Sequence, residues 1–123
     1  MPHITIEYSR NLKEPEKLLP LLGNLQDLLA EALPAKLTSF KSRAKSYDIF
    51  VLGNAQPDTC FVHCQVKVLP GRTKETLDAA AAKVLKSMRD TFQAANARLN
   101  LSVEIAELGP AYVKWDSGEE VGV

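Results

Sequence analysis

The sequence has few features of a secreted, membrane-bound or nucleic-acid-binding protein. It contains two cysteines and has no net charge, because 15 Lys and Arg residues balance 15 Asp and Glu residues. A neutral chain lacks the basic surface of a nucleic-acid-binding protein and the polybasic patch that anionic lipids attract. No apolar run is long enough to cross a bilayer, and the first residues lack the basic and apolar regions of a signal peptide. We therefore expect a cytoplasmic protein that binds neither nucleic acid nor membrane.

Length and composition are those of one globular domain. The 123 residues are 46% hydrophobic and 24% charged, which excludes wholesale disorder, a collagen-like repeat and a coiled-coil rod. A chain of this size buries roughly two-thirds of its unfolded surface, so a core can form without disulfide bonds. Cys60 and Cys64 fall in a predicted strand, where residues four apart share a face but are too distant to bond. We expect both to be free thiols.

The spacing of apolar residues predicts two β-α-β units in a single domain. The predicted elements are a strand over 3–8, a helix from Leu18 or Leu19 to Pro34, a strand over 39–51, a strand over 60–68, a helix capped by Thr73 with an apolar stripe reaching Ala95 and Leu99, and a strand over 101–108. The repeat units cover about 2–51 and 60–108, and a polar tail covers 109–123. The fold class is therefore α+β, with a four-stranded sheet and two helices on one face. Because the other face lacks a cover, we expect self-association.

Pro2 follows the initiator Met and directly precedes the first predicted strand. An initiator Met before a small residue such as Pro is normally removed, which would leave a free secondary amine. Burial beside cations disfavours the protonated amine through desolvation and like charge. Its pKa would then fall towards neutrality, where a general base works best. With Met1 in place, however, the same nitrogen is an amide and cannot take a proton. The alternative is that Pro2 is simply a common second residue.

Arg72 lies in the segment Gly71-Arg72-Thr73, where a predicted strand ends and a helix begins. A guanidinium fork matches the geometry of a carboxylate, and the free amides of a helix N-terminus also attract anions. This segment indicates an anion site. The alternative is an arginine solvated in a turn.

Together these features resemble the tautomerase superfamily, and within it the 5-carboxymethyl-2-hydroxymuconate isomerase group. The resemblance extends over nearly the whole chain, from Pro2 to about Tyr112, in the order and spacing of a β-α-β repeat. Its motifs are Pro2-His3-Ile4-Thr5-Ile6-Glu7-Tyr8-Ser9 followed by Asn11-Leu12, then Lys41-Ser42-Arg43-Ala44, Phe61-Val62-His63, and Gly71-Arg72-Thr73 with Glu75.

The resemblance implies a cofactor-independent isomerase or tautomerase acting on a carboxylated enol or dienol such as 5-carboxymethyl-2-hydroxymuconate. Pro2 would be the general base and acid, and Arg72 would bind a substrate carboxylate or polarise a carbonyl. Arg43 and Lys41 match basic positions on the second strand, and which is the main substrate contact stays open. Moving a proton requires neither a metal nor an organic cofactor. The resemblance also implies a homotrimer whose sites lie near subunit interfaces and are completed by neighbouring subunits.

Two other functions stay open on the residues alone. One is the addition of water to a halogenated unsaturated acid, which needs the same proline and an acidic or tyrosine partner that the sequence does not identify. The other is a non-catalytic oligomer that binds a small acid or another protein. His63 beside Cys60 and Cys64 matches no common zinc spacing, so we expect buried strand residues there and no metal site.

His3 and Tyr112 each allow two interpretations. His3, next to the proposed base, either shapes its pocket or bonds to backbone. Tyr112 lies with Trp115 in the polar tail. Both aromatic residues either pack on a neighbouring subunit, where aromatic anchors are common, or lie on the surface.

Overall fold

The computed structural model describes residues 2–118, and residues 119–123 of the predicted tail lie outside the described residues. Its elements are β1 (His3–Ser9), a 3-10 turn (Pro15–Lys17), α1 (Leu18–Ala32), a second 3-10 turn (Leu37–Ser39), β2 (Lys41–Tyr47), β3 (Thr59–Val68), α2 (Lys74–Phe92) and β4 (Arg98–Glu107). The predicted α+β class, with four strands in one sheet and two helices, is confirmed. Across residues 2–118, no helix combines the length and the apolar character needed to span a membrane.

The sheet has the order β2-β1-β3-β4, which places the first strand in its interior. β1 pairs in parallel with β2 and antiparallel with β3, and β3 pairs in parallel with β4. His3, the first residue of β1, is therefore opposite Lys41 of β2 and Lys67 of β3. The start of the chain is held between two strands and not at a free edge.

Alternate residues of the strands point towards the helices and form the core. Ile4 and Ile6 of β1 are completely buried, and burial of apolar side chains is the main favourable contribution to folding. Further completely buried residues from β3, α1 and α2 complete this layer: Val62, Cys64, Val66, Leu25, Leu29, Ala80, Val84, Met88 and Phe92. Both helices thus pack on one face of the sheet.

The opposite face of the sheet, which we call the open face, is mainly polar. Its residues are His3, Thr5 and Glu7 of β1, Lys41, Arg43, Lys45 and Tyr47 of β2, Phe61, His63, Gln65 and Lys67 of β3, and Asn100, Ser102 and Glu104 of β4. Neither α1 nor α2 covers it, because their apolar stripes pack on the other face. Lys41 and Arg43, the candidate substrate-binding residues predicted on the second strand, belong to the open face.

The second strand is shorter than predicted. The prediction over 39–51 was wrong at both ends, since β2 is confined to Lys41–Tyr47. β2 pairs only with β1, and its last residue, Tyr47, is opposite Ser9, the last residue of β1. Without a partner beyond that point the chain continues as a loop, with left-handed backbone at Gly53 and Asp58.

The second helix ends earlier than its apolar stripe indicates, and the fourth strand begins at Arg98. Leu99 is therefore a strand residue. Asn96 explains the break: its side-chain nitrogen donates to Phe92 O at 3.0 Å and Lys13 O at 3.2 Å, while its Oδ1 accepts from Lys13 N at 2.8 Å. This buried amide closes α2 and joins it to the loop after β1.

The predicted cap of α2 and the predicted free thiols are confirmed, whereas His63, which we expected to be buried with the cysteines, is only partly buried on the open face. Thr73 caps α2, because its Oγ1 accepts a hydrogen bond from Thr76 N at 3.2 Å. Cys60 and Cys64 are both buried and free. Burial raises the pKa of the Cys64 thiol to about 12, so that thiol stays protonated and packs as a small apolar side chain.

Candidate active site

Pro2 is buried at the beginning of the central strand. Its carbonyl oxygen accepts a hydrogen bond from Lys41 N at 3.1 Å, which continues the pairing of β1 with β2. The next residue, His3, lies between Lys41 and Lys67 on the neighbouring strands. Pro2 is thus buried and one residue away from the position flanked by two lysines, and burial of an amine lowers its pKa.

The ring of His3 connects β2 to the tail. Nη1 of Arg43 lies 3.2 Å from His3 Nδ1, and the hydroxyl of Tyr112 lies 3.0 Å from His3 Nε2. The rings of His3 and Tyr112 also meet edge to face, with centroids 5.8 Å apart. His3 thus bonds through both ring nitrogens to side chains and not to backbone. Partial burial, followed by the positive charges of Arg43 and Lys41, lowers the pKa of His3.

Lys41 and Arg43 both lie on the open face, but only the side chain of Arg43 is held in place by a hydrogen bond. Arg43 is held by its contact with His3. Lys41 is exposed, and its ammonium makes no hydrogen bond or ion pair to other residues of the described part of the chain. The guanidinium therefore has a defined position beside His3, whereas the Lys41 ammonium is a movable point charge.

Arg72 lies at the same end of the sheet as Pro2, because β3 ends where β1 begins. Its Nε donates to Leu33 O at 2.9 Å, and its Nη1 donates to Leu69 O at 3.1 Å. Leu33 is the C-cap of α1, where the helix dipole favours a cation. Two donors of Arg72 are thus committed to backbone. Within residues 2–118, Arg43 forms a hydrogen bond with His3, whereas Arg72 forms no hydrogen bond with His3 or Arg43.

Further along the open face, His63 belongs to a separate polar cluster. Its Nδ1 lies 2.6 Å from Ser102 Oγ and its Nε2 lies 3.3 Å from Glu104 Oε1, which also accepts from Gln65 at 3.0 Å. The hydrogen bonds from Gln65 and His63 lower the pKa of Glu104. Among residues 2–118, no three His, Cys, Asp or Glu side chains converge as metal ligands would.

Two residues of this region were not assigned to the site from sequence. Lys67 alternates with Gln65 on the polar face of β3, but its position opposite His3 depends on the register between β1 and β3. Tyr112 is separated from His3 by 109 positions in the sequence. Neither contact leaves a local sequence signal, because both depend on tertiary structure.

We expect His3 to titrate below the ordinary histidine pKa of 6.5. Arg43→Gln should raise the pKa of His3, because it removes a positive charge that disfavours protonation. The chain has two histidines, so an NMR titration of the ring protons, with His63→Gln for assignment, resolves the signal. Arg10→Gln is the matched control, since exposed Arg10 follows the far end of β1.

The same titration has a consequence for stability. A histidine with a lowered pKa in the folded state binds its proton more readily when the chain unfolds, so stability should fall as the pH decreases below about 6.5. An unchanged His3 pKa in Arg43→Gln, or an equal shift in Arg10→Gln, would contradict the contact between Arg43 and His3.

Comparisons with known proteins identify relatives over nearly the whole chain. A sequence model of the 5-carboxymethyl-2-hydroxymuconate isomerase family matches residues 2–118. The chain is 30% identical to 5-carboxymethyl-2-hydroxymuconate Delta-isomerase of Escherichia coli over 112 aligned residues. The alignment covers 89% of each protein. It is also similar to the crystal structure of a 5-carboxymethyl-2-hydroxymuconate isomerase from Deinococcus radiodurans R1. That match has a TM-score of 0.83 and 28% identity, covering 94% of this chain and 88% of that one.

A more distant likeness concerns the fold. The structure of a fused 4-OT symmetric trimer matches with a TM-score of 0.71 and 18% identity, covering 94% of both chains. The resemblance to the tautomerase superfamily on which the sequence analysis relied is confirmed. The family match extends from Pro2 to Gly118 and thus includes every residue of the candidate site. The chain therefore belongs to the 5-carboxymethyl-2-hydroxymuconate isomerase family and is an isomerase with the tautomerase fold.

Proposed function

We propose that this isomerase is a cofactor-independent tautomerase in which the free amine of Pro2 acts as general base and acid. The substrate is a carboxylated enol or dienol such as 5-carboxymethyl-2-hydroxymuconate. One observation carries the proposal: Pro2 is buried at the start of the central strand, where Lys41 and Lys67 lie on both sides of the next residue. The name of the Escherichia coli relative supports the substrate class.

The proposed reaction moves one proton and leaves the oxidation state unchanged. The lone pair of the Pro2 nitrogen takes the proton from the enol hydroxyl, and the resulting ammonium returns it to a carbon of the conjugated system. Negative charge develops on the substrate oxygen during the transfer. Cations already in place near that oxygen stabilise the charge without reorganisation, and Arg43, Lys41 and Lys67 supply them at this end of the open face.

Arg43 and Arg72 have different proposed roles. Arg43 is positioned beside His3, next to the proposed base, and contacts the oxygen at which charge develops. Arg72 binds the carboxylate through those of its N–H groups that are not bonded to Leu33 and Leu69. Lys41 adds positive charge without a fixed geometry, so we assign the main contact of the second strand to Arg43.

The proposed assembly is a cytoplasmic homotrimer with its sites near subunit interfaces. Two observations support self-association. The open face is uncovered by the two helices, and the loop after β2 exposes large apolar side chains, with Ile49 95% and Val51 80% exposed. Burial of these side chains against another subunit would remove their apolar surface from water. The symmetric trimer among the structures of similar fold supports the proposed number of subunits.

Replacement of the proposed base tests the function directly. Pro2→Ala leaves a primary amine without the ring that holds the nitrogen in place, and we expect it to lower kcat/KM by up to about 10²–10⁴-fold, the contribution of general base catalysis. The assay follows ketonisation of 2-hydroxymuconate and its carboxymethyl relative by ultraviolet absorbance. Intact mass must first show that Met1 is absent. Pro15→Ala, which changes an exposed proline in the 3-10 turn beyond the far end of β1, is the matched control and should leave kcat/KM unchanged.

A second form of the experiment separates the amine from the side chain. A residue added ahead of Pro2 turns its nitrogen into an amide, so turnover should disappear while the fold is kept. Undiminished turnover in that extended chain would rule out Pro2 as the base. Absence of turnover in a wild-type sample that has lost Met1 would instead contradict the proposed substrate class.

Arg72 allows a test that separates stability from binding. Arg72→Ala is expected to lower the free energy of unfolding by about 1–3 kcal/mol, because Leu33 and Leu69 lose hydrogen bonds from a charged donor. The same change should lower kcat/KM of the folded enzyme by about tenfold or more. Chemical denaturation and the absorbance assay measure the two effects. Arg89→Ala, at an exposed arginine in the last turn of α2, should change neither quantity appreciably. A loss of stability with unchanged kcat/KM would restrict Arg72 to holding the end of α1.

A further inference from the structure

The chain turns after β4 and brings Tyr112 to the beginning of β1. Leu108 N donates to Val68 O at 2.7 Å, and Tyr112 N donates to Gly109 O at 3.1 Å. The first bond holds the tail beside the end of β3, which is the end of the sheet where β1 starts, and the second closes a turn within the tail. The half-buried Tyr112 thereby meets His3, the residue next to Pro2.

The hydrogen bond between Arg43 and His3 determines which ring nitrogen carries the proton. A guanidinium group only donates hydrogen bonds, so Nδ1 of His3 must accept from Arg43 Nη1. A neutral imidazole has one N–H group, which therefore lies on Nε2. The pKa of His3 is lowered, which is consistent with a neutral ring. Nε2 then donates to the hydroxyl oxygen of Tyr112.

Because His3 donates to the oxygen of the Tyr112 hydroxyl, the hydrogen of that hydroxyl is not used in their bond. Its oxygen already accepts from His3, and the hydroxyl has no acceptor among the other described residues. A hydroxyl that accepts a hydrogen bond becomes a stronger donor, because bonds in a chain polarise one another. A guanidinium charge at the far end of the chain increases the effect. This half-buried donor is bonded to His3, the residue next to Pro2, and His3 in turn is bonded to Arg43 and lies opposite Lys41 and Lys67 on the neighbouring strands.

We propose that Tyr112 is a catalytic residue that donates a hydrogen bond to the substrate oxygen at which negative charge develops, and that His3 is a positioning residue that turns the hydroxyl towards it. The inference rests on the proposed function, since the oxygen becomes charged when Pro2 removes its proton. Tyr112 acts together with Arg43, which both contacts the oxygen and directs His3. The hydroxyl of Tyr112 supplies a neutral, directional hydrogen-bond donor, whereas the lysines of the neighbouring strands supply positive charge.

The primary test is Tyr112→Phe, which removes the hydroxyl and keeps the ring that packs on His3. Loss of one donor to a developing oxyanion is expected to lower kcat by about 10²-fold, with a much smaller change in KM, because the bond strengthens only as charge develops. Tyr47→Phe is the matched control. The hydroxyl of Tyr47 donates to Glu7 at the other end of the open face, so kcat should stay at the wild-type value.

The role of His3 is tested by two substitutions and a double mutant. His3→Gln keeps one acceptor and one donor and should retain more kcat than His3→Leu, which keeps neither. Once the hydroxyl is absent, the direction set by His3 no longer matters. Tyr112→Phe combined with His3→Leu should therefore be no slower than the slower single variant. Strictly multiplicative losses, or equal activity of His3→Gln and His3→Leu, would overturn the positioning role.

The outcomes distinguish this inference from the proposed function. If wild type turns over and Pro2→Ala does not, but Tyr112→Phe keeps the wild-type kcat, Tyr112 is not a donor and the inference fails alone. If wild type without Met1 shows no turnover, the proposed function itself fails. Thermal unfolding of each variant is measured in parallel, and a loss of kcat explained by partial unfolding of Tyr112→Phe would also count against the inference.

Discussion

Pairing of β1 on both sides is the constraint on which the site depends. Chain termini usually fray because few contacts hold them. Here the first strand lies between β2 and β3, and Ile4 and Ile6 are completely buried beneath the helices. The backbone bond from Lys41 to Pro2 extends this order to the second residue. The nitrogen of Pro2 is part of its buried ring, so the packing of that ring and the pairing of β1 together fix its position.

The register of the same strand concentrates positive charge in a chain that has no net charge. Lys41 and Lys67 come from different strands, one parallel and one antiparallel to β1, and both lie opposite His3. Acidic groups of the open face are occupied elsewhere, since Glu104 accepts from Gln65 and Glu7 accepts from Tyr47. Local electrostatics therefore follow from strand register and not from overall composition.

The sequence was sufficient for those features that arise from local periodicity. Alternation over 3–8 and over the third strand predicted which residues share a face, and the motifs around Pro2 and Arg43 led to the correct family. The end of β2 could not be predicted, because it depends on where its partner β1 stops. The end of α2 depends in the same way on the bonds that join the buried side chain of Asn96 to the distant Lys13.

Side-chain partners were harder to predict than strands. Arg72 was predicted to lie where a strand ends and a helix begins, but its bonds to Leu33 and Leu69 require knowledge of where α1 ends in space. The contact of Tyr112 with His3 joins the tail to the first strand, and alternation within either segment carries no information about it. Both cases concern the direction of a polar side chain between elements that are distant in sequence.

The pKa of the Pro2 nitrogen tests the central claim most directly. The measurement is an NMR titration of protein labelled with ¹⁵N-proline, after intact mass has shown that Met1 is absent. Because Pro2 is buried and lysines lie on both sides of the next residue, we expect the pKa of the amine to lie clearly below the value of about 8 that is ordinary for a terminal amine. A pKa at or above 8 would contradict the account, since the amine would then be protonated at neutral pH and could not serve as the base.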